Sequence, residues 1–484
     1  VAAPSHREIA GAFAGLPPPP PLGSISTMRF LPLLIVLASI SHASEVSDFG
    51  AIGDGAADDT LAVQAAVEAG WGSVRFEKGA YRITKTITVT LDEDGPFSLV
   101  GDGTARIIMA GKGPAFRIIG THGGTADPAS VKHEVFDHQR MPLIDGIEIV
   151  GANPEADGIE ATGTMQLTIT RVNIRDCRHA IHLTERNRNV IISNCHLYKN
   201  RGIGVFYDAV NLHQSNITGC HISYNAGGGV VSRGGEVRNV QISGCDIEAN
   251  MATEAIMGAD VKNAPASANV ELDSRGGSIA EVAITGCTLQ HTGKVPGSAN
   301  IHIIGPGDDK RVTSESGEGK TREGNVTISA NVMSDVRINV HIEHARGVTI
   351  LGNTFWEGFD HDLLVENSSE IAVTGNVFDR NPRYALWQKE APKQGLVFRD
   401  CLDCNLSGVH VNGVREHPAA LHVKDCRRFL ITGCSILDSD GVGILLENVK
   451  QSRIGMNLIS DERRPEKVAG VMEIGGGGNV VDGK

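Results

Sequence analysis

The stretches SNCHLYKN, TGCHISYN and SGCDIEAN begin at Ser193, Thr218 and Ser243, each 25 residues after the last. Each carries Cys third, Leu or Ile fifth and Asn eighth. The same frame recurs around Cys287, Asn331, Asn353, Asn376 and Cys434, and upstream around Val172, typically at 22 to 25 residues. A period in the low twenties, with β-branched residues at alternate positions and no helical pattern, specifies a solenoid of short strands. One coil reads as three strands: NVIIS, CHL and IGVFY. The Gly or Asn before each marker (Asn194, Gly219, Gly244) supplies the left-handed backbone of a bend. Equivalent residues then stack about 4.8 Å apart on successive coils. The expectation is an inward ladder of Cys195, Cys220, Cys245 and Cys287, and a ladder of Asn200, Asn225 and Asn250 whose amides bond coil to coil. Thiols so stacked act as small buried hydrophobes rather than as disulfides. CLDC at 401–404 has metal-like spacing but no second pair with it.

Aromatic content is 4% with 58 glycines, so the core must be Val, Ile and Leu on a turn-rich backbone. Forty-four basic against 57 acidic residues give a net charge of −13, which argues against nucleic acid as a partner. An acidic substrate held by a local basic patch remains compatible with it. Residues 28–43, MRFLPLLIVLASISHA, follow the pattern of a secretory signal peptide, and the apolar run is too short to span a membrane. Cleavage after Ala43 is expected to leave an exported protein, secreted or periplasmic, with no membrane partner. Residues 1–27, with prolines at 17–21, read as a mis-assigned start or a disordered leader. Residues 44–484 read as one domain of unspecified oligomeric state.

DFGAIGDGAADDTLAVQAAVEAG spans 48–70. Asp58 and Asp59 stand where an N-cap belongs, and apolar residues follow at helical spacing to Ala69. A short helix here would cover the open end of the solenoid. This opening, followed by coils punctuated with Gly, Asn and Cys, resembles the pectate-lyase-like superfamily over about 46–484. The superfamily includes polygalacturonase-like hydrolases, polysaccharide lyases, mannuronan epimerases and phage tailspikes. The resemblance implies an all-β fold, a single-stranded right-handed parallel β-helix with a short N-terminal capping helix and about a dozen coils. It also implies a carbohydrate partner, often an acidic polysaccharide. The Asn-Thr-Asp, Asp-Asp and Gly-His-Gly motifs of polygalacturonases are absent, and GFDHD at 358–362 only partly echoes the Asp-Pro-His-Glu motif of the epimerases. No catalytic residue therefore transfers by motif.

Three constellations could carry chemistry. The first is basic: residues 171–201 hold Arg or Lys at 171, 175, 178, 186, 188, 199 and 201. In AIHL, Ile181 and Leu183 point inward, so His182 points out, and Arg186 and Arg188 follow on the next turn. One coil later, Tyr207, Asp208 and His213 are expected at the same place, with Glu185, Asp208 and Arg233 aligned. A β-eliminating lyase needs a cation on the uronate carboxylate, a base for the neighbouring C–H and an acid for the leaving oxygen. Arg186 or Arg188, His182 or His213, and Tyr207 are the candidates. The competing explanation is a solvated turn with charges paired between coils.

The second is an outward row of Asn173, His196, His221 and Asp246, with Arg175, Tyr198, Ser223 and Glu248 two residues further on. Such a face could bind sugar, do acid–base work, or hold Ca²⁺ through Asp246 and Glu248; no cofactor is required. It could equally serve solubility.

The third groups Asp335, Glu357, Asp360, Asp362 and Asp379 with Trp356, Phe359, Tyr384 and Trp387. Paired carboxylates beside exposed rings suit glycoside hydrolysis. Otherwise the rings cap the flank and the acids are surface. Glu366 and Glu447 share a ladder position with Glu185, which marks them as structural. The insertion 121–142 carries His133, Glu134, Asp137 and His138, a potential metal set on a surface segment, and 305–324 reads as a long polar loop.

The leading expectation is an exported enzyme acting on an acidic polysaccharide by β-elimination. A polygalacturonase-like hydrolase is the first alternative, and a non-catalytic glycan-binding or surface β-helix the second.

Overall fold

The computed structural model describes residues 44–70, 72–258, 265–306, 323–385, 390–467 and 470–482. The chain divides into units Val1–Ser41 and His42–Lys484, and the second is described here. The expected leader and signal peptide, Trp387 and most of the 305–324 loop lie outside the described residues.

The repeat sets a row that runs unbroken through the molecule. Val74, Leu99, Ile144, Ile169, Ile192, Ile217, Ile242 and Ile284 sit in register on successive coils, all through parallel pairing. The row continues through Ile328, Ile350, Val373, Leu406, Ile431 and Ile454. All are buried, and they belong to one continuous core. Alternation along each strand puts every second side chain into this core, so a shift of one residue would turn a whole row outward. The result is a single parallel β-helix. Helix Thr60–Glu68 closes its N-terminal end by burying Thr60, Val63, Ala66 and Val67. Its capping differs from expectation. Asp58 accepts the Thr60 amide at 3.1 Å. Asp59 instead turns its buried carboxylate to the amides of Ile52 (2.7 Å) and Gly53 (3.2 Å).

The bends before the markers are left-handed as expected, with φ of 53° at Asn194, 59° at Gly219 and 58° at Gly244. All nine cysteines are buried free thiols. After Cys287 the stack changes chemistry: the Cys287 amide donates to Asn331 Oδ1 at 2.9 Å, and Asn331, Asn353 and Asn376 continue it by amide bonds of 3.0 and 2.9 Å.

The second ladder is longer than the repeat revealed. Nδ2 of Asn200 donates to Oδ1 of Asn225 (2.7 Å), and Asn225 donates in turn to Asn250 (2.7 Å). The chain then passes to Asn269 (2.9 Å), Asn300 (2.7 Å), Asn339 (2.7 Å) and finally Asp362 (2.7 Å). Every bond runs the same way. Each Nδ2 gives its other proton to a main-chain carbonyl, as at Ile174, Leu197 and Ile222. A row of donors aimed one way must end on a group that only accepts. Asp362 is that group: it also takes the Gly358 amide (3.0 Å) and Gln394 Nε2 (3.2 Å). Full burial pushes its carboxyl up to about 6, against the lowering effect of these donors.

Candidate functional site

Strands Ile181–Ser193, Ile203–Thr218 and Gly228–Ser243 each cover two faces of a coil, bending at left-handed residues. The bends fall at Glu185 (φ 53°), Ala209 (φ 44°) and Gly234 (φ 61°). On the leg before the bend, one outward row reads Glu160, His182, Phe206, Val231, Glu271, His302, His341, Leu364, Val397, His422 and Leu445. Two residues along lies a row charged at every rung but Ile304: Asp208, Arg233, Asp273, Ile304, Glu343, Glu366, Arg399, Lys424 and Glu447. Four histidines of the first row each reach the acid of the second row on the next coil. The contacts are His182 to Asp208 (3.0 Å), His302 to Glu343 (2.9 Å), His341 to Glu366 (3.2 Å) and His422 to Glu447 (3.2 Å). These side chains are recessed, with 13% exposure at His182 and 17% at His341.

His182 is the best-supported candidate of the basic constellation. Its ring stacks on Phe206 at 5.2 Å and 6°, and beside His179 at 5.4 Å. Nε2 faces Asp208; Nδ1 has no hydrogen-bond partner and lies 3.9 Å from Glu160. Cations adjoin this line. Arg117 binds Glu160 at 2.6 Å, and Arg233, in register with Asp208, binds Glu271 at 2.7 Å.

The remaining members need correction. Tyr207 pairs in register with Leu183, so it points inward. It is 1% exposed and bonded to Ser215 Oγ at 2.8 Å, and burial drives its phenol well above the ordinary range. It cannot protonate a leaving group in the groove. Arg188 is buried and donates to the carbonyls of Thr125 (2.7 Å) and Ala126 (2.8 Å), so it anchors the 121–142 insertion. Arg186 bonds Asn211 and reaches His122 Nε2 at 3.4 Å. His213 lies past the bend, in register with Arg188 and Arg238 on a different face from His182. Burial and its arginine neighbours hold its pKa below the usual value. Glu185 falls at a register shift, a single residue opposite Ala209 and Val210, and Thr184 aligns with Asp208 in its place.

The second constellation stands in the expected rows. His196 stacks on His221 at 5.1 Å and 13°, and His221 Nδ1 lies 3.4 Å from Asp246. Asp246 accepts from Thr288 (2.8 Å), and Glu248 from Tyr224 (3.0 Å) and Gln290 (3.1 Å). Arg175 is held by Glu148 (2.9 Å) and Asp176 (2.6 Å), and Tyr198 lies beside it in register. Asp246 and Glu248 are thus already bonded to neutral donors on an open face, where His221 is 59% exposed. A cavity of about 430 Å³ beside it is lined by Asp176, Lys199, Arg201, Tyr224 and Ile256.

The third constellation does not assemble as paired exposed acids. Asp335, Glu357 and Asp362 are buried, and Asp362 ends the amide ladder. Asp360 is gripped by Arg337, which also binds Glu390 at 3.0 Å and lies 5.7 Å from the Phe359 ring. Asp379 lends its carbonyl to Gln394 at 2.7 Å. Tyr384 lies in helix Pro382–Ala385. His133, Glu134, Asp137 and His138 sit in an exposed helix, His133–His138, and do not converge.

Sequence reasoning missed His302, His341 and Glu343, the one His/Cys/Asp/Glu set among the described residues whose potential ligand atoms all lie within 4.8 Å of one another. A signal existed. AIHL, NIHI, NVHI and ALHV, beginning at Ala180, Asn300, Asn339 and Ala420, share one phase of a strand with His third.

Comparison with known proteins agrees with this architecture. Three family models match: rhamnogalacturonase A/epimerase, pectate lyase-like, over 43–141; right handed beta helix region, over 135–272; and periplasmic copper-binding protein (NosD), over 286–471. No curated protein sequence matches. Among solved structures, the A-module of mannuronan C-5 epimerase AlgE4 from Azotobacter vinelandii is 14% identical with a TM-score of 0.52, covering 91% of this chain and 100% of that one. The tailspike protein of Dettilon is 13% identical at 0.50, covering 89% and 68%. Gene product 12 of bacteriophage phi29 is 15% identical at 0.55, covering 86% and 55%. At such identities the likeness is one of fold. The family matches and the architecture together make the chain a right-handed parallel β-helix protein.

Proposed function

We propose that the chain is an exported enzyme that takes an acidic polysaccharide along the recessed face of His182 and cleaves it by β-elimination. The observation that carries this is the recessed imidazole of His182, held 3.0 Å from Asp208, on a line of cations that includes Arg117 and Arg233. A carboxylate-oriented imidazole is suited to take a proton beside a carboxylate whose charge a guanidinium neutralises. With Tyr207 in the core, His182 itself returns that proton to the leaving oxygen. The folds of a mannuronan C-5 epimerase and of phage tailspikes support a glycan partner, and the match to a family described as periplasmic supports export.

A second function is favoured by a specific observation. The candidate cations of this face are already paired with acids, Arg117 with Glu160 and Arg233 with Glu271. That arrangement suits a binding surface without turnover. One assay separates the readings: the chain is incubated with a panel of acidic polysaccharides, following unsaturated uronate absorbance and reducing ends together. Both should rise, and His182→Ala should cut the rate at least ~100-fold with an unchanged circular dichroism spectrum. Reducing ends alone would mean hydrolysis. Retained glycan binding with neither signal would leave a binding protein.

A further inference from the structure

The four histidine–acid pairs are alike in construction, and one place differs. On the coil after His182 stands Phe206, and on the coil after His422 stands Leu445. Only His302 is followed in this row by a second histidine, His341. The two rings lie parallel, 4.6 Å apart at 4°. Glu343 Oε1 completes the group at 2.9 Å from His302 Nε2.

Charge also bears on this place. Most acids of the two rows meet a guanidinium or ammonium: Glu271 meets Arg233, Asp273 meets Arg275, Glu366 meets Arg399 and Glu447 meets Lys424. Glu343, like Asp208 beside His182, has an imidazole as its ion-pair partner instead. Glu343 and Glu366 moreover lie directly in register, so two carboxylates share adjacent rungs. Like charges so placed repel, and a cation beside Glu343 relieves that repulsion.

We infer that His302, His341 and Glu343 bind one late first-row divalent cation, of the Zn²⁺ or Cu²⁺ kind, on the recessed face. Two imidazoles and a carboxylate are the donor set of such ions, whereas Ca²⁺ and Mg²⁺ prefer oxygen alone. Metal–nitrogen distances near ~2.1 Å are short against the 4.8 Å span of the potential ligand atoms. Binding therefore draws the rings together by rotation about their side-chain bonds, which stacked parallel imidazoles on adjacent rungs permit. Three protein donors leave a position for water or a ligand oxygen. The inference stands apart from the lyase proposal, because it concerns other residues and needs no turnover to test.

The test is calorimetric titration of the chelator-stripped full chain with Zn²⁺ and separately with Cu²⁺, and an absorption spectrum with Co²⁺. One saturable ion per chain is expected, uncontested by excess Ca²⁺ or Mg²⁺, together with visible Co²⁺ ligand-field bands characteristic of nitrogen ligation. His341→Gln and Glu343→Gln should each weaken binding at least ~10-fold and change the Co²⁺ bands. His221→Gln, in the other stacked histidine pair, should change neither. His341→Gln keeps a polar side chain on the rung, and circular dichroism verifies that it folds. Absence of a saturable site, or titration of His341→Gln like the parent, would overturn the inference.

Discussion

Two polar ladders run along this molecule, one inside and one outside, and they solve the same problem by different chemistry. The inner one, Asn200 to Asp362, is made of amides that each donate to the next and leave no proton unused. The outer one pairs His182, His302, His341 and His422 with acids one coil on. Inside, a neutral group that both gives and accepts can repeat without limit, because stacking it builds up no charge. Outside, alternating charge is affordable because water and counter-ions screen it. The difference teaches where each ladder is vulnerable. The inner one fails when any link is cut; the outer one loses little, since each pair is local.

Three substitutions sharpen that contrast. Asn225→Ala should be the most damaging. It strips the acceptor from Asn200 and the donor from Asn250 in a place no water reaches. Two orphaned buried groups cost on the order of 4 kcal/mol, read from the denaturation midpoint. A loss below about 1 kcal/mol would mean that the ladder is ornamental.

Next comes Asp362→Asn, read as a pH slope. Burial pushes the pKa of His122, His179 and His361 down to about 4 each. These groups take up protons on unfolding between roughly pH 6.5 and 4, so stability falls as pH drops through that window. Asp362, raised to about 6, binds its proton more readily when folded and works in the opposite sense between pH 6 and 4. Removing it should steepen the acid loss by about 3 kcal/mol across that range. Parallel pH profiles for parent and variant would refute a raised pKa at Asp362.

The smallest effect is expected for Glu447→Gln in the outer ladder, where His422 and Lys424 are its partners at 3.2 and 2.8 Å. Solvent screens pairs of this kind, so the melting temperature should stay that of the parent within error. A clear drop would erase the distinction between the two ladders.

How much of this was legible depended on whether coil length stayed constant. Cys195, Cys220 and Cys245, and Asn200, Asn225 and Asn250, were readable because the period holds at 25 residues there. The N-terminal helix was readable from its apolar spacing. Tyr207 was misplaced although the information was present: inward Leu183 aligns with it, and the chemistry of a phenol beside Asp208 drew it outward. His213 was misplaced because the bend at Ala209 turns the strand to another face, and nothing in FYDAVNLHQ announces a left-handed alanine. The His302, His341 and Glu343 group was hidden by the segments between 250 and 340, which interrupt the period on both sides. Asp362 looked like one acid of a catalytic set because a sequence does not show that the amides before it all point its way.

That common direction has a bearing on how such a chain can lengthen. A duplicated coil carrying an asparagine at the inner rung would splice into the stack anywhere between Asn200 and Asn339, accepting from the coil before and giving to the coil after. A coil without it would leave two loose ends. The coil that carries Asp362 admits no such copy, since a second carboxylate would face Asp362, which has no amide proton to give it. Growth by repetition is thus open on one side of that residue and closed at it, and a single carboxyl group works as the full stop of the inner sentence.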